Sequence, residues 1–172
     1  MSSKLLMDVD EYLHTSFDGA DREYLDGEVV ERNMGELEHG DVQGTLTQLL
    51  RELRRKLGIR VAPEVRIRIG PTRYRIPDIS VWRDDNIGTR IPSVPPFLAI
   101  EILSSDDRMN RMLQKIKEYL AIGVAFVWVI DPEDKSALIF SGNHPEGVAS
   151  DVLRTSNPDI DIPLSAAFDL NH

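Results

Sequence analysis

The pattern of apolar and polar positions predicts two amphipathic helices. In the first, apolar side chains recur every three or four residues, at Val42, Leu46, Leu49, Leu50, Leu53 and Leu57. This is the spacing of one helical face, and Gly58 then gives a common signal for the end of a helix. The second helix is predicted from about Asp107 to Ala121 and is closed by Gly123. Each helix therefore has one face to bury against a partner.

Strands are predicted between and after these helices. Two short runs, Arg75 to Val81 and Phe97 to Leu103, are mostly apolar and show no helical period. Such runs are typical of strands that are buried on both faces. Val124 to Ile130 has the same character. The segment from Ile59 to Ile69 alternates apolar side chains with arginines, which predicts one half-exposed strand.

Shorter elements are predicted at both ends of the chain. Asp8 is expected to cap a short helix that reaches about Ser16, and Asp26-Gly27 is a two-residue hairpin signal between strand-like flanks. The remaining predictions are a loop over residues 84–96, a C-terminal hairpin of Ser136 to Ser141 with a partner near Val152 to Arg154, and a terminal helix near Ser165 to Leu170.

The order of these elements predicts the class of fold. The middle of the chain runs helix, three strands, helix, strand, and neither a repeat nor a long linker interrupts it. We therefore expect a single α/β domain over residues 1–172, with a core from about residue 38 to 131. Its predicted architecture is a mixed central β-sheet flanked by helices, with an N-terminal helix and hairpin and a C-terminal hairpin.

Composition narrows the chemistry. The chain has no cysteine, which excludes a thiolate nucleophile and a thiolate zinc site. The N-terminal residues from Met1 turn acidic at Asp8, so no signal peptide is expected. The longest apolar run, Ala121 to Ile130, is much shorter than the roughly 20 residues that span a bilayer. A cytoplasmic location is the expectation.

The charge is unevenly distributed. The net charge is −9, yet residues 51–75 hold nine basic side chains and only two acids, Glu52 and Glu64. This segment could contact phosphate groups in spite of the acidic remainder. The alternative is an ordinary solvated helix face followed by an arginine-decorated strand, and the sequence favours neither.

Each of the two buried strands carries one carboxylate, Asp78 in the first and Glu101 in the second. Burying an ionised carboxylate is unfavourable by several kcal/mol unless a cation or hydrogen-bond donors compensate its charge. Two such residues on neighbouring strands suggest that a divalent cation binds between them. We expect the two side chains to converge.

Six stretches of the chain, taken in order, resemble those of a known superfamily. They are Tyr24-Leu25-Asp26-Gly27-Glu28-Val29-Val30, Glu38-His39-Gly40, Ile76-Pro77-Asp78-Ile79, Ile100-Glu101-Ile102-Leu103-Ser104, Lys115-Ile116-Lys117-Glu118-Tyr119-Leu120, and Gly123-Val124 through Val127-Trp128-Val129-Ile130-Asp131-Pro132. The chain resembles the PD-(D/E)XK nucleases, and more narrowly the bacterial family of "putative restriction endonucleases". The resemblance implies the restriction endonuclease-like fold, with the core order αβββαβ.

The resemblance also implies roles for individual residues. Asp78 and Glu101 would be the catalytic metal ligands, with the backbone carbonyl of Ile102 as a further oxygen. The superfamily usually has a lysine two residues after the glutamate, where this chain has Leu103. In the narrower family the lysine lies on the next helix and matches Lys115. Lys117 remains the alternative, because the two lysines fall on opposite borders of the apolar face.

A function follows from these implied roles. The expected reaction is hydrolysis of phosphodiester bonds in DNA with magnesium or manganese, and a homodimer is expected by analogy. One alternative is a catalytically inactive nuclease-fold module for DNA binding or assembly, which the missing lysine at position 103 and the acidic bulk favour. A weaker alternative is a metal-dependent protein acting on a phosphate ester that is not a nucleic acid.

Two further acids are candidates for positions near the site. Glu38 opens the long helix, and Glu64 is expected on the strand beside Asp78, so either acid could assist the site. His39 falls on the apolar side of its helix, which predicts a hydrogen-bonded structural histidine. There is no Gly-rich phosphate loop, Gly-x-Ser-x-Gly turn or His-Glu-x-x-His pair, which argues against nucleotide hydrolases, serine esterases and zinc proteases.

Overall fold

Helices and strands are interleaved along the described part of the chain, which in this computed structural model comprises residues 5–19, 21–33, 35–83, 87–88, 90–105 and 107–170. The helices there are α1 (Val9–His14), α2 (Leu37–Glu52), α3 (Arg54–Leu57) and α4 (Met109–Ala121), followed by a 3₁₀ helix over Leu164–Phe168. The strands are β1 (Leu5–Leu6), β2 (Arg22–Leu25), β3 (Glu28–Glu31), β4 (Arg60–Pro63), β5 (Ile67–Gly70), β6 (Arg73–Arg75), β7 (Ile79–Trp82), β8 (Leu98–Ile102), β9 (Phe126–Asp131), β10 (Ser136–Ser141), β11 (His144–Ala149), β12 (Val152–Thr155) and β13 (Ile160–Pro163).

A six-stranded mixed sheet forms the structural centre, with the strand order β11-β10-β9-β8-β7-β4. Strands β8 and β9 run parallel, as expected where a helix connects them, and the other neighbours are antiparallel. Helix α2 packs on one face of this sheet and α4 on the other. Every residue of β7 and β8 is buried as a result. The predicted mixed sheet between helices is confirmed.

The two faces of the central sheet have separate hydrophobic cores. On the α2 face, the helix contributes Val42, Leu46 and Leu50, which pack with sheet residues that include Ile79, Val81, Leu98 and Ile100. On the α4 face, the helix contributes Met112, Ile116 and Tyr119, which pack with sheet residues that include Trp82, Ala99, Val127 and Val129. Successive strand residues point to opposite faces, so Asp78 and Glu101 belong to the face that α4 covers.

A second sheet, with the order β1-β3-β2-β6-β5, is antiparallel throughout. Strands β2 and β3 form the predicted hairpin, and its turn residues Asp26 and Gly27 have φ angles of 53° and 95°. Positive φ at both turn positions is what a tight two-residue hairpin requires. This second sheet matters for the site, because β2 and β6 carry charged side chains that reach α4.

The prediction of one strand from Ile59 to Ile69 is wrong. The segment forms β4, which pairs with β7 in the central sheet, and β5, which pairs with β6 in the second sheet. Glu64, between them, has a φ of 54°, a left-handed conformation that interrupts an extended strand. The apolar residues do alternate along this segment, but alternation alone does not show that the chain passes from one sheet to another.

The predicted pairing of the C-terminal hairpin is also wrong. Strand β10 pairs with β11, and β12 pairs with β13 instead of with β10. Gly142-Asn143 supplies the two-residue turn between β10 and β11. Strand β11 is largely exposed and poor in apolar residues, so it gave no hydrophobic pattern to detect. Strands β12 and β13 alternate buried and less buried positions and pack on the α2 side through Leu153 and Ile162.

The helices differ from their predicted bounds mainly at the ends. The first long helix begins at Leu37, and the chain departs from it at Leu53 before the short α3. Gly58 follows α3 with a φ of 63°, which confirms it as the stop signal. The predicted terminal helix is the 3₁₀ helix that follows β13. No helix within the described ranges combines the length and apolar character needed to cross a membrane.

Two predictions fall partly outside the described residues. The N-terminal stretch without a signal-peptide pattern includes residues 1–4, and the predicted loop over 84–96 includes residues 84–86 and 89. Within the described part of that loop, the Trp82 side chain donates a hydrogen bond to the Val94 carbonyl over 3.1 Å.

Replacement of Leu46 by alanine tests the packing of α2 on the sheet. Leu46 is completely buried, so Leu46→Ala should lower the free energy of unfolding by about 2–5 kcal/mol through lost burial and a cavity. Leu37→Ala in the same helix is the control, because Leu37 is 80% exposed and its loss should change stability by no more than about 0.5 kcal/mol. Urea denaturation of both variants measures the difference, and equal effects would contradict this packing.

Candidate active site

Asp78 is a buried carboxylate whose two oxygens both have partners. It lies just before β7, and Oδ2 accepts a hydrogen bond of 2.7 Å from the backbone N–H of Ile102 on β8. Oδ1 accepts from the Arg32 guanidinium and lies 3.4 Å from Nε2 of His39. Burial alone would raise the pKa of Asp78, but the His39 hydrogen bond and the Arg32 charge lower it below its ordinary value.

Glu101 is a buried carboxylate on β8, the strand next to β7, and its side chain is on the same face of the sheet as that of Asp78. Its Oε2 lies 3.1 Å from Nζ of Lys115, and its Oε1 accepts a hydrogen bond from the Tyr119 hydroxyl. Burial raises the pKa of Glu101 to about 7, and the negative charge of Asp78 acts in the same direction while Lys115 opposes it. Glu101 therefore changes its charge near neutral pH in the absence of a metal ion.

The strand register brings the two carboxylates together. Residues Ile79 and Ile100 are partners in the antiparallel pair of β7 and β8, so one further step places Asp78 opposite Glu101. Directly opposed residues on one face have Cβ atoms about 4.5–5.5 Å apart. Both side chains line one cavity of about 450 Å³, together with Glu23, Arg32, His39, Arg75, Ile102 and Lys115. The expected convergence of Asp78 and Glu101 is present.

Lys115, and not Lys117, points into this cavity from α4. The Lys115 side chain is 17% exposed and its Nζ lies within 3.3 Å of a second carboxylate, Oε1 of Glu23. Burial would lower the pKa of Lys115, but the charges of Glu101 and Glu23 raise it, so the amine stays protonated. Lys117 is exposed on the opposite border of the helix. Helical spacing leaves the choice between the two lysines open; in the structure it is Lys115 that lines the cavity with Asp78 and Glu101.

Glu23 was not singled out from the sequence, although it is one of the site's best-anchored groups. It lies on β2 and is 3% exposed. Its carboxylate accepts a 2.7 Å bond from Arg75 and a 3.1 Å bond from the backbone N–H of Ile76. Burial alone would raise the pKa of Glu23, but the charge of Lys115 and then these contacts with Arg75 and Ile76 lower it. No local pattern marks Glu23, because its partners come from another strand and from α4.

An ion-pair network connects Glu23 to the protein surface. Arg75 also donates a 2.7 Å hydrogen bond to Glu118 on α4. Glu118 accepts a second hydrogen bond, of 2.6 Å, from Arg73. Arg73 in turn pairs with Asp26 in the hairpin turn. The network joins the second sheet to α4. It therefore holds Glu23, on the second sheet, next to Lys115, on α4.

The basic segment does not form one continuous surface. Arg73 and Arg75 belong to the network just described, whereas Arg51, Arg55 and Lys56 are exposed near the end of α2 and in α3. His39 lies at the other end of α2, roughly 18 Å away along the helix axis from Arg51. The exposed basic residues are therefore separated from the carboxylates.

The other candidate acids are placed differently from each other. Glu64 follows β4. Its carboxylate lies 3.4 Å from Arg32, and its backbone N–H donates a 3.1 Å hydrogen bond to the backbone carbonyl of Asp78. Glu38 is exposed and lines a separate depression with Glu36 and Asp107. His39 contacts Asp78 directly, which places a residue predicted to be structural beside the candidate ligand.

The donor set fits a hard divalent cation. Asp78 and Glu101 offer carboxylate oxygens, and Ile102 lines the same cavity, which leaves room for water or a phosphate group. Magnesium and manganese prefer such oxygen ligands and commonly keep water in part of their coordination shell. Within the described ranges, no three histidine or acidic side chains form a ready-made metal cluster. A cation held here would therefore rely on two carboxylates and on ligands from solvent or substrate.

Known proteins similar to this chain include a sequence family and a solved structure. The sequence model of the family described as "Uma2: Putative restriction endonuclease" matches residues 9–169. Among solved structures, the chain is similar to a crystal structure of "a putative nuclease belonging to DUF820" from Anabaena variabilis ATCC 29413. The TM-score is 0.80 at 20% sequence identity, over 94% of this chain and 97% of that chain. No curated protein matches the sequence. The predicted restriction endonuclease-like fold is confirmed.

The raised pKa of Glu101 predicts a pH dependence of stability. In EDTA, the folded protein binds the Glu101 proton more tightly than the unfolded chain does, so this stabilisation is present at low pH. It is lost as the pH rises through the range from the ordinary value of 4.5 to about 7. Relative to Glu101→Gln, the wild type should lose roughly 3 kcal/mol of unfolding free energy over this range.

Urea denaturation of both proteins at intervals from pH 4.5 to 8 measures this change. Only the change with pH is predicted, since the substitution also alters the contacts of Lys115 and Tyr119. Parallel stability curves for the two proteins would contradict the assignment of the raised pKa to Glu101.

Proposed function

We propose that this chain, which belongs to the Uma2 family of "putative restriction endonucleases", hydrolyses phosphodiester bonds in DNA with a bound divalent cation. Family membership supports a nuclease function in general. The observation that carries the finer proposal is the convergence of Asp78, Glu101 and Lys115 in one cavity, with the lysine amine 3.1 Å from the Glu101 carboxylate. Magnesium or manganese is the proposed cofactor.

Asp78 and Glu101 would hold the cation, with the backbone carbonyl of Ile102 as a further oxygen ligand. When bound, the ion supplies Lewis-acid chemistry, which polarises a phosphate and makes water a better nucleophile. The role of the protein is to present two oxygen ligands at the base of an open cavity. The Ile102 N–H fixes one oxygen of Asp78, and the Tyr119 hydroxyl fixes one oxygen of Glu101.

Lys115 supplies a positive charge next to the reacting phosphate. Its amine is protonated and is held between Glu101 and Glu23, so it needs little reorganisation to meet negative charge that develops in the transition state. If Glu101 binds a cation, Glu23 still retains the lysine. Glu23 is thus a positioning residue, and its bonds to Arg75 and Ile76 keep it in place.

A nuclease-fold module that binds DNA without cleaving it is the competing proposal. The observation in its favour is that Arg32 and His39 already offset the charge of Asp78, as they would in a protein that never binds a cation. Leu103 also stands where the superfamily usually has its lysine. The two proposals differ in whether cations bind at Asp78 and whether DNA is cut.

Cleavage assays with an Asp78 variant separate the two proposals. Purified protein with magnesium or manganese should cut plasmid or linear DNA, and Asp78→Asn should reduce the rate at least about a hundredfold, because one of the proposed metal ligands is lost. Calorimetric titration should show cation binding by the wild type that Asp78→Asn weakens. Cation binding and cleavage that persist unchanged in the variant would remove Asp78 from the site.

Two lysine variants test the choice within α4. Lys115→Ala should lower the cleavage rate about a hundredfold or more without weakening cation binding, because it removes a charge that acts on the substrate and not on the metal ligands. Lys117→Ala is the matched control, since it removes the same charge from an exposed position in the same helix. Loss of cleavage in Lys117→Ala, with Lys115→Ala still active, would reverse the assignment.

A further inference from the structure

Arg32 contacts Asp78, the carboxylate that a divalent cation would need. Both oxygens of Asp78 have partners: Oδ2 accepts from the backbone N–H of Ile102, and Oδ1 lies 3.4 Å from Nε2 of His39. The Arg32 guanidinium donates to this same Oδ1 and is also 3.4 Å from Glu64. A cation bound to Oδ1 and the guanidinium would repel each other at such short distance. Arg32 and a cation therefore compete for Asp78.

The Arg32 side chain has room to change its conformation. Arg32 follows directly after β3, so its side chain extends from an irregular segment and not from the middle of a strand. It lines the cavity of about 450 Å³ that also contains Glu101 and Lys115. Glu64, its second partner, has a side chain that is 50% exposed, so this contact restrains Arg32 only weakly. Rotation of the side chain can bring the guanidinium into the cavity without unfolding a strand.

The chemistry of a guanidinium suggests what it binds there. Arginine forms paired hydrogen bonds to carboxylates and to phosphates with the same planar set of donors. When its carboxylate is taken by a cation, we expect the guanidinium to bind a phosphate of the substrate, because Glu23 and Glu101 in the same cavity already pair with Arg75 and Lys115.

We propose that Arg32 is a phosphate-binding residue with two positions, one on Asp78 in the cation-free protein and one on a DNA phosphate when a divalent cation has displaced it. This inference rests on the proposed function, because it needs a cation at Asp78. It gives the site a form of regulation, in which the phosphate-binding arginine becomes available only after the cation has bound. It also explains why Arg32 offsets the charge of Asp78 in a protein whose family membership supports a nuclease function.

Reciprocal coupling is the measurable consequence. Because the cation releases Arg32 for DNA, cation binding should strengthen DNA binding, and DNA should strengthen cation binding by the same factor. Calcium serves as the probe, since it takes oxygen ligands as magnesium does. Calorimetry gives its affinity, and fluorescence anisotropy of a labelled duplex gives DNA affinity in calcium or in EDTA. A gel at the end of each titration verifies that the duplex is intact.

Arg32→Gln removes the competing charge. This variant should bind calcium about tenfold more tightly than the wild type. Its DNA affinity should fall about tenfold in calcium but stay within about twofold of the wild type in EDTA, where Arg32 is engaged with Asp78 in any case. Arg154→Gln is the control, because Arg154 is exposed and pairs with Asp161 in the β12–β13 hairpin. The control should match the wild type in all three measurements.

Arg32→Lys keeps the proposal testable if Arg32→Gln does not fold. Lysine retains a positive charge near Asp78, so calcium affinity should stay within about threefold of the wild type, while DNA affinity in calcium should fall because the paired donors are lost. Circular dichroism and thermal unfolding establish that each variant is folded.

The outcomes that overturn the inference are distinct from those that overturn the proposed function. Calcium affinity unchanged in Arg32→Gln, or DNA affinity lost equally in calcium and EDTA, would overturn the inference alone, provided that Asp78→Asn weakens calcium binding. If the wild type binds no calcium, or if Asp78→Asn binds it as well as the wild type does, the proposed cation site fails and this inference fails with it.

Discussion

The structure is organised around the burial of two carboxylates side by side on adjacent strands. Asp78 and Glu101 face the same side of the central sheet, 3% and 2% exposed, where like charges raise each other's energy. The surrounding groups respond to this constraint. Arg32 and His39 contact Asp78, while Lys115 and Tyr119 contact Glu101. Even so, burial leaves Glu101 with a pKa of about 7. An additional positive charge between the two residues would complete the compensation.

The two sheets contribute different groups to the surroundings of these carboxylates. The central sheet supplies the carboxylates and, through the Ile102 N–H, fixes the position of Asp78. The second sheet supplies Glu23 and Arg75, which connect to α4 through Lys115 and Glu118. Because α4 is held by its apolar face on one sheet and by ion pairs on the other, Lys115 is positioned from two directions. We expect this network to act on geometry more than on stability, because the cost of desolvating its charges offsets their attraction.

Much of this arrangement was predictable from the sequence. Continuous apolar runs located β7 and β8, the helical period located α2 and α4, and the two acids in buried runs marked the site. The choice of Lys115 over Lys117 needed coordinates, because helical periodicity places both at borders of one face. Glu23 and Arg32 were missed for a related reason: their importance comes from partners that are distant in the chain, such as Arg75 for Glu23 and Asp78 for Arg32. His39 was read as structural because its role depends on Asp78, which lies on a different element.

The errors in the fold have the same origin. Periodicity identified apolar alternation between residues 59 and 69 but not the left-handed residue, Glu64, at which the chain changes sheets. It also missed β11, whose exposed residues carry no hydrophobic signal. Neither error affects the site, because β4 still flanks β7 and the C-terminal strands lie away from the Asp78 and Glu101 pair.

The central claim is that Asp78 and Glu101 bind one divalent cation, and anomalous diffraction from crystals grown with manganese tests it most directly. The account predicts an anomalous peak between the two carboxylates, within bonding distance of an oxygen from each, with the Arg32 guanidinium moved away from Asp78. A map with no peak there, and with Arg32 still bound to Asp78 at saturating manganese, would contradict it.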